Sequence, residues 1–361
     1  MTQFIQLHAL VSYPPSNLNR DDLGRPKTAI MGDATRLRVS SQSLKRAWRT
    51  SELFESVLAE HKGIRTKRLG IQIKTDLMAQ GVEEKKAFEW AAQIAACFGK
   101  VKTSKKKDEE GEPLEIEQLV HIAPEELQSI DALIAQLAAE KRAPEENELS
   151  LLRKQPKAVD IALFGRMLAS SPAYNVEAAV QVAHAITVHA VKVDDDYFTA
   201  VDDLNAHDED AGAAHIGETG FASGVFYLYV CINKSLLCEN LQNDTELVNK
   251  TLAALVESMT KVSPTGKQNS FASRAYTSYL LAEQGAQQPR SLSVAFLKPV
   301  QGNDLLNEAI KNLTAQCENF DKVYGACAEK RQSFQITTEK SEGSLQDIVS
   351  FLTAGEPCSN T

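Results

Sequence analysis

Read for alternation and period, the chain opens on Phe4-Ile5-Gln6-Leu7-His8-Ala9-Leu10-Val11, a strand of imperfect alternation that Pro14-Pro15 is expected to end. Residues 16–39 read as a polar loop with turn signals at Gly24-Arg25-Pro26 and Gly32-Asp33. Ser40-Ser41 then supply an N-cap for a helix running to about Ala59. Helical spacing recurs at 83–98 (Phe88, Ala91, Ile94, Ala95, Phe98) and at 125–141 (Leu127, Ile130, Leu133, Ile134, Leu137), the latter with Pro124 near its first turn. A third helical stretch is expected over 147–168, ending near Ser170-Ser171-Pro172. Strand character returns at Val180–Val193, and Val225–Ile232 is the clearest core strand. A helix at 245–260, a loop bearing Gly266 and a strand at 292–297 follow. This order describes an α+β domain with helices packed on an antiparallel sheet, for which an RRM-like (ferredoxin-like) arrangement with large insertions is the simplest fit.

Charge changes the picture more than composition does. The net charge of −9 argues against a freely diffusing, non-specific nucleic-acid binder. Its distribution is uneven. Residues 36–74 hold Arg36, Arg38, Lys45, Arg46, Arg49, Lys62, Arg65, Lys67, Arg68 and Lys74 against only Glu52, Glu55 and Glu60, whereas 194–210 are acidic with no lysine or arginine. On a helical wheel, Lys45, Arg46 and Arg49 fall within an arc of about 100°, opposite Leu44, Trp48 and Leu58. Such a helix can lie on a sheet with its cationic side outward, and its hydroxyl-rich N-terminus adds donors for a phosphate. A solvated surface helix is the alternative. Asn19, Arg20, Arg25, Lys27, Arg36 and Arg38 in the preceding loop tilt the choice towards an anion, although Arg20-Asp21-Asp22 also fits an internal salt-bridge network.

Signals for other chemistry are weak. The six cysteines lack CxxC spacing and read as core or incidental thiols, neither a disulfide framework nor a zinc site. His184 and His189 form no metal-ligand motif, and His184 reads as a packed, hydrogen-bonded strand residue. Asp202-Asp203 and Asp208-Glu209-Asp210 sit in an acidic, glycine-bearing excursion (194–224), a poor frame for a two-metal centre. Phosphate-loop, dinucleotide and nucleophile-elbow motifs are absent from the sequence. No catalytic residue, cofactor or metal is therefore expected. Lys105-Lys106-Lys107-Asp108-Glu109-Glu110-Gly111-Glu112-Pro113 reads as a solvated connector. No apolar run approaches the roughly 18 residues of a spanning helix, and the start has no basic signal region, so the cytoplasm is the expected location.

Residues 17–49, NLNRDDLGRPKTAIMGDATRLRVSSQSLKRAWR, closely resemble the start of the CasC family, the CRISPR RNA-binding backbone subunit of the type I-E Cascade surveillance complex. The resemblance continues, in the same order, through Val159–Met167, Ala183–His189, Tyr197–Leu204 and Phe221–Tyr227, and weakens across 100–113 and beyond about Pro299. It implies a right-hand shape: an RRM-like palm (1–60, 179–192, 224–361 with the C-terminal region), helical fingers (61–178) and a hairpin thumb (193–223). It further implies a non-catalytic protein, about six copies of which stack head to tail on the CRISPR RNA (crRNA) in a helical filament. The guide's phosphate backbone would be held and nucleotides flipped at intervals, leaving the guide free to pair with target DNA. The partners implied are the crRNA, target DNA through it, further copies, and the large, small, 5′-handle-binding and 3′-hairpin-binding subunits. Carried over residue by residue, Ser40, Gln42, Lys45, Arg46 and Arg49 with Asn19, Arg20 and Lys27 would contact the RNA, Met167 and Thr199 would bracket a flipped nucleotide, and Gly266 and Lys267 would approach the strand. A solvent-hidden core position is the competing reading of Met167. The alternatives in function are a metal-dependent CRISPR ribonuclease subunit using Asp21 or Asp22, and a structural assembly protein without RNA contact.

Overall fold

The computed structural model describes residues 2–102, 112–200, 215–354 and 357–358. In chain order, β1 (Phe4–Ser16), β2 (Thr28–Met31), β3 (Ala34–Val39), α1 (Ser41–Arg49) and α2 (Glu52–Leu58) come first. They are followed by β4 (Ile64–Thr66), α3 (Leu69–Ala79), α4 (Glu84–Ala96), β5 (Val120–Ile122), α5 (Pro124–Glu140) and α6 (Val159–Phe164). Next are β6 (Val180–Val182), β7 (Ala185–Thr187), β8 (Asp194–Ala200) and β9 (His215–Asn233). The remainder is α7 (Lys234–Asn240), α8 (Thr245–Lys261), α9 (Gln268–Phe271), β10 (Thr277–Gly285), α10 (Leu305–Tyr324), β11 (Lys330–Ile336), β12 (Ser341–Glu342) and α11 (Leu345–Thr353).

Two compact units divide this chain. The first comprises Met1–Phe54, Gln181–Asn233 and Leu252–Gly355; the second comprises Glu55–Val180, Lys234–Thr251 and Glu356–Thr361. Lys234–Thr251 belongs to the second unit.

The first unit is built on a sheet of order β12-β11-β10-β1-β9-β7-β3-β2, with antiparallel neighbours. Its inner strands β10-β1-β9-β7 have the ferredoxin-like order, α1 and α8 being the two crossover helices. Leu44 and Trp48 of α1 and Met259 of α8 meet Val11, Tyr13, Phe226 and Leu228 of the sheet around one small cavity. On the opposite face, Leu10, Tyr227, Tyr279 and Leu281 pack with Ala309, Leu313 and Cys317 of α10. The inner strands β10, β1 and β9 are thus covered on both sides.

The second unit is mainly helical. Leu69, Ile73 and Leu77 of α3, Trp90 and Ile94 of α4, and Ile130, Leu133 and Leu137 of α5 share one core. Buried charges are paired there. Glu126 takes the Arg166 guanidinium at 2.8 Å, and Asp160 accepts from the Gly63 N–H at 2.8 Å and lies 2.8 Å from His121 Nε2.

Several expectations are corrected. Pro14-Pro15 do not end the first strand: β1 runs to Ser16 with a register shift against β9 between Tyr13 and Ser16, which takes the two non-donating residues out of the ladder. The polar loop at 16–39 contains the β2–β3 hairpin, turned at Asp33 (φ 57°) and Gly32 (φ 59°). The helix expected to reach Ala59 breaks at Thr50-Ser51. Thr50 Oγ1 donates to the Arg46 carbonyl and Ser51 Oγ to that of Trp48, while Ser51 Oγ accepts the Phe54 N–H and so caps α2. The expected helix at 147–168 shrinks to α6: Pro156 interrupts it, and Glu126 captures the Arg153 N–H. Val180–Val193 yields two three-residue strands, and 292–297 is a 3-10 turn that drives Phe296 into the core. Cys238 and Cys358 are disulfide-bonded with Cα atoms 5.7 Å apart, so these two are not incidental thiols; 120 residues separate them in sequence. The connector at Lys105–Gly111 and the acidic segment 201–214, with Asp202, Asp203, His207, Asp208, Glu209 and Asp210, lie outside the described residues.

Candidate nucleic-acid interface

The helix α1 is positioned from its N-terminus. Ser40 caps it by accepting the Ser43 N–H at 3.3 Å, and the Ser40 N–H itself donates to Asn19 Oδ1 at 2.9 Å. The Asn19 carbonyl accepts the Lys27 N–H at 2.8 Å. Asn19 thus clips the loop to the start of the helix, tying together three of the residues expected at the RNA. Along α1, Leu44, Ala47 and Trp48 are buried, Gln42 and Arg46 are exposed, and Lys45 and Arg49 are half-buried. The face assignment from the wheel is therefore the observed one. Partial burial pushes the Lys45 amine below its ordinary pKa.

The loop before the helix is held by Asp21. Its Oδ1 accepts the Leu23 N–H at 3.0 Å and the Arg25 N–H at 2.9 Å, and the Asp21 N–H donates to the Arg25 carbonyl. Gly24 takes a φ of 81° at the apex. Arg20 and Asp22 are exposed. The cross-link within this loop is an Asx turn and not the ion-pair network considered from sequence. Arg25 instead reaches Asp195 on β8 at 2.9 Å.

Arg36 leaves the candidate set. It is fully buried and donates to the carbonyls of Met31, Thr187 and Phe296, the last two at 2.9 Å. These carbonyls, with that of Leu297, explain a buried guanidinium without any ligand. Gly266 sits where an added Cβ would lie 2.3 Å from the Leu18 carbonyl oxygen and 2.6 Å from that of Asn17. Its smallness is thus demanded by the β1 end of the loop. Lys267 donates to Thr219 Oγ1 on β9 at 3.0 Å. Thr199 is exposed on β8, opposite Ile216 in the antiparallel β8–β9 hairpin.

Met167 belongs to the second unit, directly after the buried Arg166. It is 79% exposed, which removes the core-filler reading. His184 is likewise exposed and not packed; its Nδ1 accepts from Arg38 Nη1 at 2.9 Å. Burial, then the charges of Arg38 and Lys27, holds His184 below its ordinary pKa. Asn19, Lys27 and Arg38 line one shallow depression with Leu18 and Pro26. Arg38 was legible as a loop cation, but its pairing with His184, 146 residues away, was not.

These features define an α+β protein whose ferredoxin-like sheet carries a basic crossover helix, a long β8–β9 hairpin and an inserted helical unit. Two solved structures share this architecture. A chain of a "CRISPR RNA-guided surveillance complex, pre-nicking" is 29% identical with a TM-score of 0.84, covering 97% of this chain and 99% of that one. A chain of a "CRISPR RNA-guided surveillance complex" is 26% identical with a TM-score of 0.72, over 97% and 99%. No curated protein matches. The chain belongs to the CT1975-like protein family, which it matches over residues 5–351.

Proposed function

We propose that this protein is an RNA-binding backbone subunit of a CRISPR surveillance complex of the type I-E Cascade kind, acting in antiviral defence in the cytoplasm. The observation that carries the reading is the construction of α1: a cationic face turned away from the sheet, its N-terminus clipped by Asn19 to the loop bearing Arg20 and Lys27. Two chains of comparable length from CRISPR RNA-guided complexes, similar over nearly the whole protein, support the same reading. On it, about six copies stack head to tail along one crRNA, as heterologous contacts that do not close allow. Ser40, Gln42, Lys45, Arg46 and Arg49 hold phosphates, and Met167 and Thr199 each contact a displaced nucleotide. The guide then pairs with target DNA, and the other Cascade subunits complete the particle.

We further propose that the subunit is not catalytic. The Asp21 carboxylate is committed to two backbone N–H groups and shapes a turn, which is a structural use of the side chain. Asp21→Ala and Asp22→Ala should leave Mg²⁺-dependent cleavage of a complementary RNA at background. Metal-dependent cutting abolished by either substitution would reassign the protein as a ribonuclease.

The binding test replaces Lys45, Arg46 and Arg49 together with Gln, which keeps helix propensity and the buried Leu44–Trp48 face. For single-stranded RNA, each phosphate that the protein ceases to neutralise lowers the slope of log affinity against log salt by about 0.7, so the slope should fall by roughly 2. Matching slopes and affinities in variant and wild type would mean that the RNA path does not follow α1.

A further inference from the structure

On the RNA-binding reading above, we infer that Lys27, Arg38 and His184 form a second backbone site on the first unit, one that takes a phosphodiester of the same RNA. Arg38 lies on β3 opposite Ile186 of β7, and His184 directly precedes β7. The site is thus made where two sheet strands meet and not on α1.

The bonding within it is chemically one-sided. A guanidinium has only donors, so the 2.9 Å contact from Arg38 Nη1 makes His184 Nδ1 an acceptor. The neutral ring then carries its proton on Nε2, away from Arg38. Arg38 Nε also donates to the Thr28 carbonyl at 3.4 Å, so the guanidinium is held from both strands of the β2–β3 hairpin and from the segment before β7. Among the described residues no carboxylate pairs with Lys27 or Arg38, although the whole protein carries a net charge of −9. Lys27 and Arg38, both half-buried and without a carboxylate partner among the described residues, line one depression with Asn19 and suit a phosphate oxygen there. Asn19 joins that depression to the N-terminus of α1 through the Ser40 N–H. One continuous strand can therefore use both.

His184 acts here as a positioning residue. It acts only by orienting Arg38. The geometry makes specific demands on substitution. Asn at 184 places a carbonyl oxygen near the Nδ1 position and should retain Arg38 in place, whereas Ala should release it.

The test measures binding of a short unstructured single-stranded RNA, and of DNA of the same sequence, across a salt series. Arg38→Gln should weaken RNA binding about fivefold at ~0.1 M salt and lower the salt slope by about 0.7, as expected when one phosphate is no longer neutralised. His184→Ala should lose most of the same affinity, His184→Asn should restore it, and Arg38→Gln combined with His184→Ala should be no worse than Arg38→Gln alone. Lys27→Gln reads the same site from outside the β3–β7 pairing, which covers the case of an Arg38 variant that folds poorly. Unchanged RNA affinity in Arg38→Gln and Lys27→Gln, with the α1 triple variant still weakened, overturns this site alone. A loss confined to DNA also overturns it. Normal binding by the α1 triple variant as well brings down the RNA-binding reading itself.

Discussion

Arginines of the first unit show how little a residue's type says about its use. Arg36 and Arg38 stand two apart on β3, yet the first is consumed by backbone carbonyls and the second faces His184. Their neighbours decide this, and Thr187, Phe296 and His184 lie 151, 260 and 146 residues from them in the chain. The buried ionic centre of the sheet was not legible at all. His8 Nε2 lies 3.1 Å from Glu283, Tyr227 shares its hydroxyl between His8 and the Leu292 N–H, and Arg290 and Arg331 also donate to Glu283. These residues are up to 323 positions apart in the chain, so no local pattern announces them. Burial alone would raise the Glu283 carboxyl, but its hydrogen bonds from His8, Arg290 and Arg331 hold it well below the usual carboxylate range. Burial first of all lowers His8, which stays neutral. Both folded pKa values are depressed, so both groups stabilise the fold above their unfolded values and lose that contribution as pH falls. The loss should begin near pH 6.5 for His8 and near about pH 4.3 for Glu283. Glu283→Gln strips the charge that two arginines need and should cost about 3–5 kcal/mol in urea unfolding at neutral pH. The gap from wild type should narrow below about pH 4. An equal gap at both pH values would place the stabilisation elsewhere.

Of the elements with a strong period, α4, α5 and α8 are anticipated from sequence and α10 is not, and elements made by long-range pairing are not legible. The helices α4, α5 and α8 follow apolar spacing that a 3.6-residue repeat reveals. The β2–β3 hairpin, β10 and the break between α1 and α2 are set by partners or by hydroxyl groups that compete with the helix, which period does not report. The loop at Gly266 separates a structural from a binding role. An alanine Cβ there would collide with the Leu18 and Asn17 carbonyls, which cannot yield without disturbing the Asn19 clip. Gly266→Ala should therefore lower stability by about 1–3 kcal/mol. A glycine kept only for close approach of RNA would leave the unfolding midpoint untouched and change binding alone, and that pattern would contradict the packing argument.

At the scale of the molecule, the α+β class and the candidate α1 face were legible, whereas the eight-strand path of the sheet and the disulfide of the second unit were not. The β8–β9 hairpin is secured at its base: Arg25 meets Asp195, Lys267 meets Thr219, and Asn17 Nδ2 donates to the Gly220 carbonyl at 2.9 Å. Replacing residues 196–219 by a short linker should leave the sheet core folded, because among the described residues its buried apolar contacts lie outside that segment. The same change should abolish regular nuclease protection of the guide in an assembled particle. Unaltered protection would show that the hairpin does not clamp RNA.

The α10 cover on the sheet carries one more consequence. RRM-type sheets ordinarily offer aromatic rings on which two or three bases stack, and that is how they come to prefer certain sequences. Here Tyr227 and Tyr279 lie beneath Ala309, Leu313 and Cys317 and have no open face for a base. On the proposed reading, the grip on RNA falls to cations and backbone donors outside that face, which recognise a sugar–phosphate track and are indifferent to the letters it carries. Sealing that reading surface is what would let one subunit accept any guide, and repeat along it without regard to what is written there.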